Sequence, residues 1–174
     1  MITEAVTIGS IVKAVGLKGE VKLLPGPDFW PGALQAHDMD LVSKEGARKR
    51  VHVEKRRAKG MTFILKLSDV QGIDEAESVV GSDLVVSLEG LAPEQLPEAP
   101  LPCQLMDLEA RLPNGEVIGG VVDILLGTDQ QCLVLERAGE RFLVPNVPDV
   151  VVRIDLPGGF MVLDPPEGLL DLRW

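Results

Sequence analysis

Tyrosine is absent from this 174-residue chain, and with four Phe and two Trp the aromatic share is only 3%. The core must therefore be built mainly from Val, Leu and Ile. Stacking of bases on aromatic platforms, the common way to hold single-stranded nucleic acid, has little material here. Histidine is nearly missing too. His37 and His52 fall in different segments and neither has a cysteine nearby, so no zinc-type ligand set is expected and no metal or other cofactor with it. Cys103 and Cys132 lack CxxC spacing, which points to free, mostly buried thiols in a cytoplasmic chain, although spacing alone leaves their pairing open. No apolar run approaches the roughly 18 residues of a membrane span, and the opening MITEAVT lacks the basic region of a secretory signal. No membrane contact is expected. Positive charge is scarce: 17 Lys and Arg stand against 27 Asp and Glu, a net charge of -10, which argues against a surface that wraps nucleic acid at large.

Catalytic arrangements are missing as well. Ser10 and Ser43 have no base close by in sequence. Asp123 and Asp129 flank a glycine-containing turn and read as turn and contact residues rather than a catalytic carboxylate pair. The stretch Gly16-Leu17-Lys18-Gly19-Glu20 lacks the GxxxxGK[ST] spacing of a phosphate loop, and Gly119-Gly120 is not followed by a helix. No catalytic residue is expected, and the chain reads as a binding or assembly protein rather than an enzyme.

What is present is mostly short, alternating strand pattern. Val6 to Leu24 reads as two antiparallel strands joined at Gly16-Leu17-Lys18-Gly19, with the glycines setting the loop path, Lys18 pointing outward and Leu17 helping to close a barrel. Pro25 to Gly32 is too rich in Pro and Gly for regular structure. Phe29 and Trp30 inside it either cap a barrel end or anchor a partner, and capping is the commoner role. Strands follow at 39–42, 51–54, 61–67 and 83–88, with a short helix capped by Asp74 between the last two. Seven of the twelve basic residues of the first 90 fall in one run: Arg48, Lys49, Arg50, Lys55, Arg56, Arg57 and Lys59. That run is read equally as a solvated edge hairpin or as a local contact with RNA phosphate. Residues 91–100 carry Pro93, Pro97 and Pro100 and read as a semi-extended linker. Beyond it come a strand over 105–112, an Asn114-Gly115 hairpin turn and further strands to Leu163, with an acidic tail at 164–174. The expected domains are 1–90 and 101–174, all-β, each a small barrel. Charge divides unevenly between them. Residues 1–90 hold 12 Lys and Arg against 13 Asp and Glu, and residues 91–174 hold 5 against 14, a net of -9 that favours a basic protein partner.

Several of these segments, taken in order, resemble the bacterial RimM family of 30S ribosome maturation factors. Ile8 to Val12 with Gly16 to Val21 is similar to its N-terminal signature. Gly72 to Glu77 and Gly81 to Leu84 resemble its G-(I/V)-D-x-(R/E)-(E/D)-A … G-x-x-L segment. In the second half, Gly115 to Asp123, Phe142 to Pro145, and Val152 to Leu163 followed by Pro166 to Leu169 resemble its later strands. The resemblance implies a six-stranded translation-factor-like barrel, then a PRC-type barrel. It also implies a non-enzymatic monomer that binds the immature 30S subunit through ribosomal protein uS19, touches rRNA locally, and assists folding and processing of the 3′ head domain of 16S rRNA. Partner contacts would fall on Gly16, Leu17, Lys18 and Gly19, and on Pro100, Leu101, Pro102, Met106 and Asp107. The chain departs from the family where a Tyr-Tyr pair is usual, since Pro100, Leu101 and Pro102 stand there. The D-L-(I/M/V)-G motif has become Gln104-Leu105-Met106-Asp107. A translation-factor-like module that binds a protein or ribonucleoprotein without a maturation role is the alternative.

Overall fold

Strand alternation becomes buried and exposed faces in the computed structural model, which describes residues 5–37 and 39–174. In β1 (Ala5–Val15) and β2 (Glu20–Pro25), Val6, Ile8, Ile11, Val21 and Leu23 are buried, while Thr7, Val12 and Leu24 face solvent. The same period-2 logic places β3 (Met39–Val42), β4 (Arg48–Val51), β5 (Val53–Lys59), β6 (Thr62–Leu67) and β7 (Asp83–Ser87) in one antiparallel sheet of order β4-β3-β7-β1-β2-β6-β5. Bulges near Gly9 and Val12 bend the eleven-residue β1, which pairs with both β7 and β2.

Seven strands replace the expected six. The run 48–59 is broken at His52, so its two halves become the two ends of the sheet order. The backbone of His52 turns to Ser68 instead: its N–H donates to the Ser68 hydroxyl at 3.0 Å and its carbonyl accepts the Ser68 N–H at 2.9 Å. The basic run therefore lies on two edge strands, each the outer arm of a different hairpin, β3–β4 and β5–β6. Helix α1 (Ile73–Ser78) starts after Gly72, so Asp74 lies inside its first turn and is not the cap. Glu75 accepts the Gln71 N–H at 2.8 Å there, and the two acidic residues face the positive end of the helix. Ala76 is its buried contact.

The chain divides into two compact units, the second being Pro100–Trp174. Residues 91–99 group with the first unit, and Pro93–Gln95 forms a single 3-10 turn. In the second unit, Pro102–Leu105 is one helical turn (α2), not the start of a strand. Pro102 is preorganised for a first turn, and the side chain of Gln104 accepts the Leu101 N–H at 2.9 Å. The expected strand over 105–112 shrinks to β8 (Glu109–Arg111). With β9 (Val117–Leu126), β10 (Gln131–Arg137), β11 (Glu140–Pro145), β12 (Val151–Asp155) and β13 (Phe160–Leu163) it forms a six-stranded sheet of order β11-β10-β9-β8-β13-β12, in which β13 and β8 run parallel. Leu105, Val121, Leu133, Leu135, Val144, Met161 and Leu163 form its core. The tail is not loose: Arg173 bridges to Phe142, and the Trp174 N–H donates to the Arg141 carbonyl at 2.9 Å, so the tail docks on the β11 edge.

Ala138 (φ 52) and Gly139 (φ 81) are the two residues between the paired Arg137 and Glu140 of the β10–β11 hairpin. Positive φ at both positions is the turn that matches strand twist. An alanine in that conformation carries a left-handed cost of about 1–2 kcal/mol. Ala138→Gly is therefore expected to raise the unfolding free energy by roughly 0.5–1 kcal/mol in urea titration, because glycine's extra freedom in the unfolded chain offsets part of the relief. A loss of stability would show that the methyl group packs usefully.

Candidate functional site

Strand register brings together basic residues that are far apart in sequence. Glu20 on β2 lies opposite Lys66 on β6, and Lys66 lies opposite Lys55 on β5. In the next row Lys22, Ile64 and Arg57 align. Residues two apart share a sheet face, so Glu20, Lys22, Lys55, Arg57 and Lys66 belong to one side. The β1–β2 turn adds Lys18 from the end of the sheet. A cavity of about 280 Å³ is lined by Lys18, Glu20, Lys55 and Lys66. Arg57 pairs with Glu20 at 3.2 Å, and the Lys66 ammonium donates to the Val70 carbonyl. Lys18 and Lys55 are exposed and form no ion pair among the described residues. Three lysines line the cavity against one carboxylate already paired with Arg57, and like charges so gathered repel one another. An anion between them relieves that repulsion, so the cavity suits a phosphate or carboxylate group.

The turn that delivers Lys18 is held by a close backbone approach. Gly16 and Gly19 have φ of 63° and 80°. A Cβ on Gly19 would stand 2.5 Å from the Val70 carbonyl oxygen, whereas one on Gly16 would meet open space. The inner contact of the turn is thus backbone against backbone. Leu17 is 80% exposed and does not close the sheet as expected, since Gly19 fills that role.

The remaining members of the basic run scatter. Arg48 and Arg50 converge on Asp40 at 3.5 and 2.8 Å. Lys49, one residue out of phase, donates to the Asp69 carbonyl at 3.0 Å, and Arg56 donates to the Leu34 carbonyl at 3.4 Å. Lys59 is exposed at the end of β5. Only Lys55 and Arg57 join the cavity side.

In the second unit, Pro100 and Pro102 are half-buried and Asp107 is exposed. Leu101 is only 6% exposed, so it is not the outward apolar ridge read from the sequence; the first turn of α2 folds it inward. Met106 packs against the core. All five arginines of this unit are engaged: Arg111 with Glu109, Arg137 with Glu116, Arg141 with Glu136, Arg153 with Asp155 and Arg173 with Glu140. Asp107, Asp123, Asp129 and Asp149 form no ion pair among the described residues, so the acidic surplus is left at the surface. Cys103 and Cys132 are half-buried thiols, not joined in a disulfide. Among the described residues no cluster of three or more His, Cys, Asp or Glu is placed to hold a metal, and no helix is long and apolar enough to cross a membrane.

Comparison with known proteins accounts for both units. Residues 6–91 match the RimM N-terminal domain, and residues 103–169 match the RimM PRC barrel domain. The chain belongs to the RimM family. It is 34% identical to the ribosome maturation factor RimM of Synechococcus sp. strain CC9902, over 97% of this chain and 95% of that one. It is 28% identical to the protein of the same name from Pelobacter propionicus, over 96% of each. The solution structure of the N-terminal domain of RimM from Thermus thermophilus covers 53% of this chain and 99% of its own at 22% identity, with a TM-score of 0.43.

Asp107 has a φ of 64°, in the left-handed region that glycine most readily adopts. Aspartate is among the few residues that tolerate this region, and its N–H reaches the Val121 carbonyl at 3.0 Å. Glu20, Lys22 and Lys66 do not stand out as site residues in the sequence. Each sits in a strand pattern that shows its face, but the pairing that joins them does not appear in any one segment. The two glycines of the turn should behave differently. Gly16→Ala is expected to cost about 1 kcal/mol, from left-handed strain alone. Gly19→Ala should exceed about 2 kcal/mol, because the Val70 backbone must also move. Equal losses in urea denaturation would mean that the approach to Val70 constrains nothing.

Proposed function

We propose that this RimM-family chain is a ribosome maturation factor that acts by binding rather than by catalysis. It would engage the immature 30S subunit as a cytoplasmic monomer and assist folding and processing of the 3′ head domain of 16S rRNA. The observation that carries this reading is the match to both RimM domains in order, along nearly the full length of relatives named ribosome maturation factors. The domain division is part of the proposal: residues 1–90 as an rRNA-facing module, 91–100 as a connector and 101–174 as a protein-facing module.

Two surface features support the division of labour. In the first unit, the cavity at Lys18, Lys55 and Lys66 offers cations for one stretch of rRNA backbone, with Arg57 beside it. Arg48, Lys49, Arg50, Arg56 and Lys59 are secondary contacts in this reading, since all but Lys59 bond within the chain. Gly16, Leu17 and Gly19 present Lys18. Contact would be with phosphate, hence a matter of position rather than base sequence. In the second unit the arginines are already neutralised, so the unpaired carboxylates meet a basic protein such as uS19 without competition from neighbouring cations. Pro100, Leu101, Pro102, Met106 and Asp107 form the segment next to that surface in the sequence. Here Leu101 acts as an internal pin, and the prolines and Asp107 supply the contacts.

Cosedimentation tests the first half. The chain should travel with free 30S particles and not with 70S ribosomes in sucrose gradients; uniform failure to cosediment favours a generic binding module. Lys18→Ala with Lys55→Ala should weaken binding to precursor 30S particles and flatten the salt dependence, by about one unit of log-log slope for each phosphate no longer neutralised. An unchanged slope removes the cavity from the interface. For the second half, Asp123→Asn with Asp129→Asn in the full chain should slow association with uS19 at low salt, the difference fading as salt rises. Rates equal to those of the parent chain at every salt concentration would place the contact elsewhere.

A further inference from the structure

The proline-rich segment after β7 is pinned at its middle. The Gln95 carbonyl accepts the Trp30 indole N–H at 2.6 Å, its side-chain amide donates to the Gln35 carbonyl at 3.0 Å, and its Oε1 accepts the Ala92 N–H at 3.0 Å. Gly32 faces the same carbonyl, where an added Cβ would stand 2.6 Å away, so the two backbones meet with no room for a side chain. Between this pinned segment and the 3-10 turn Pro31–Gln35 lies a cavity of about 390 Å³. Trp30, Pro31, Gly32, Gln35 and Leu96 line it, together with Glu94 and Glu98. Leu96 is 42% exposed, and both glutamates are exposed and form no ion pair among the described residues. The cation bound to the adjoining turn, Arg56, is on the Leu34 carbonyl.

We propose that this groove receives an arginine side chain carried on a flexible, basic segment of a protein partner. The chemistry selects that occupant step by step. Two free carboxylates at the rim repel phosphate, which sets nucleic acid and anionic lipid aside. A lining that sets Pro31 and Leu96 beside two carboxylates fits a side chain that is a hydrocarbon stem ending in a cation. Guanidinium is preferred to ammonium because its planar fork of N–H groups serves two carboxylates at once and its flat face packs against proline. The volume is at the low end of ligand pockets, roughly 300–1,000 Å³, enough for one long side chain and its neighbours but not for a helix. The three bonds to Gln95 fix the walls beforehand, which removes part of the ordering cost of binding. This inference is independent of the ribosomal reading and stands on the first unit alone.

The test is fluorescence anisotropy with the full chain and a short labelled peptide alternating arginine and proline, beside the same peptide with citrulline in place of arginine. The arginine peptide should bind and the citrulline peptide, of the same shape without the charge, should not. Glu94→Gln with Glu98→Gln should weaken binding by about tenfold or more, the loss expected of charge-assisted hydrogen bonds. Glu45→Gln with Glu77→Gln removes the same charge from exposed positions that do not line the groove and should leave the affinity unchanged. Equal losses in the two double variants would reduce the effect to net charge and overturn the groove as its source. Equal binding of the citrulline peptide, or no binding of the arginine peptide to the native chain, would overturn the proposal as well.

Discussion

The buried carbonyl of Val70 is the point on which the first unit's cation cluster depends. It accepts a hydrogen bond from the Lys66 ammonium and leaves no room for a side chain at position 19. One backbone oxygen therefore fixes both the central lysine of the cluster and the turn that presents Lys18. A lysine head bound to a carbonyl keeps a fixed position, so Lys55 and Lys18 lie beside a stationary group rather than a mobile one. Cross-strand pairing supplies the rest. With Glu20, Lys66 and Lys55 in one row, separation along the chain no longer matters.

The charges of the two units are organised on opposite plans. In the second unit every arginine has an acidic partner, most of them near in sequence or across a hairpin: Arg111 with Glu109, Arg153 with Asp155, Arg141 with Glu136. Exposed pairs of this kind add little stability, about 0–1 kcal/mol each. Their consequence is electrostatic, since they leave only carboxylates to shape the long-range field. In the first unit, Arg48 and Arg50 are engaged by Asp40 while Lys18 and Lys55 form no ion pair among the described residues, so positive charge gathers on one side of the sheet although residues 1–90 are nearly neutral in total.

Much of the fold is legible in the sequence because alternation reports burial directly. The strands at 39–42, 61–67 and 83–88 lie close to where pattern puts them, and Gly16 and Gly19 adopt the positive φ their placement implies. The departures share a cause. Pattern makes His52 one more alternating residue, but its backbone bonds to Ser68, and one basic run becomes two edges. Leu101 has the look of an exposed ridge because prolines flank it; Pro102 instead opens a helical turn that buries it. Leu17 suggests core because it is leucine, yet Gly19 already occupies the inner side of the turn. In each case the path of the backbone, toward Ser68, into the turn opened by Pro102 or against Val70, overrides what the residue's own pattern suggests.

By itself, the sequence determined the all-β character, the uneven charge of the two halves, the scarcity of metal-binding and nucleophilic groupings, and the ordered motifs that resemble RimM. These follow from composition and from short periodic patterns, which depend only on a residue and its near neighbours. Tertiary structure alone decided which basic residues form a cluster and which are neutralised, that residues 91–99 are fastened to Trp30 and Gln35, and that Asp107 holds a glycine's conformation. Those outcomes depend on strand register and on backbone contacts between distant segments, such as Gly19 with Val70 and Gly32 with Gln95. Register is set by the sum of many buried contacts across a sheet, and no single segment contains that sum.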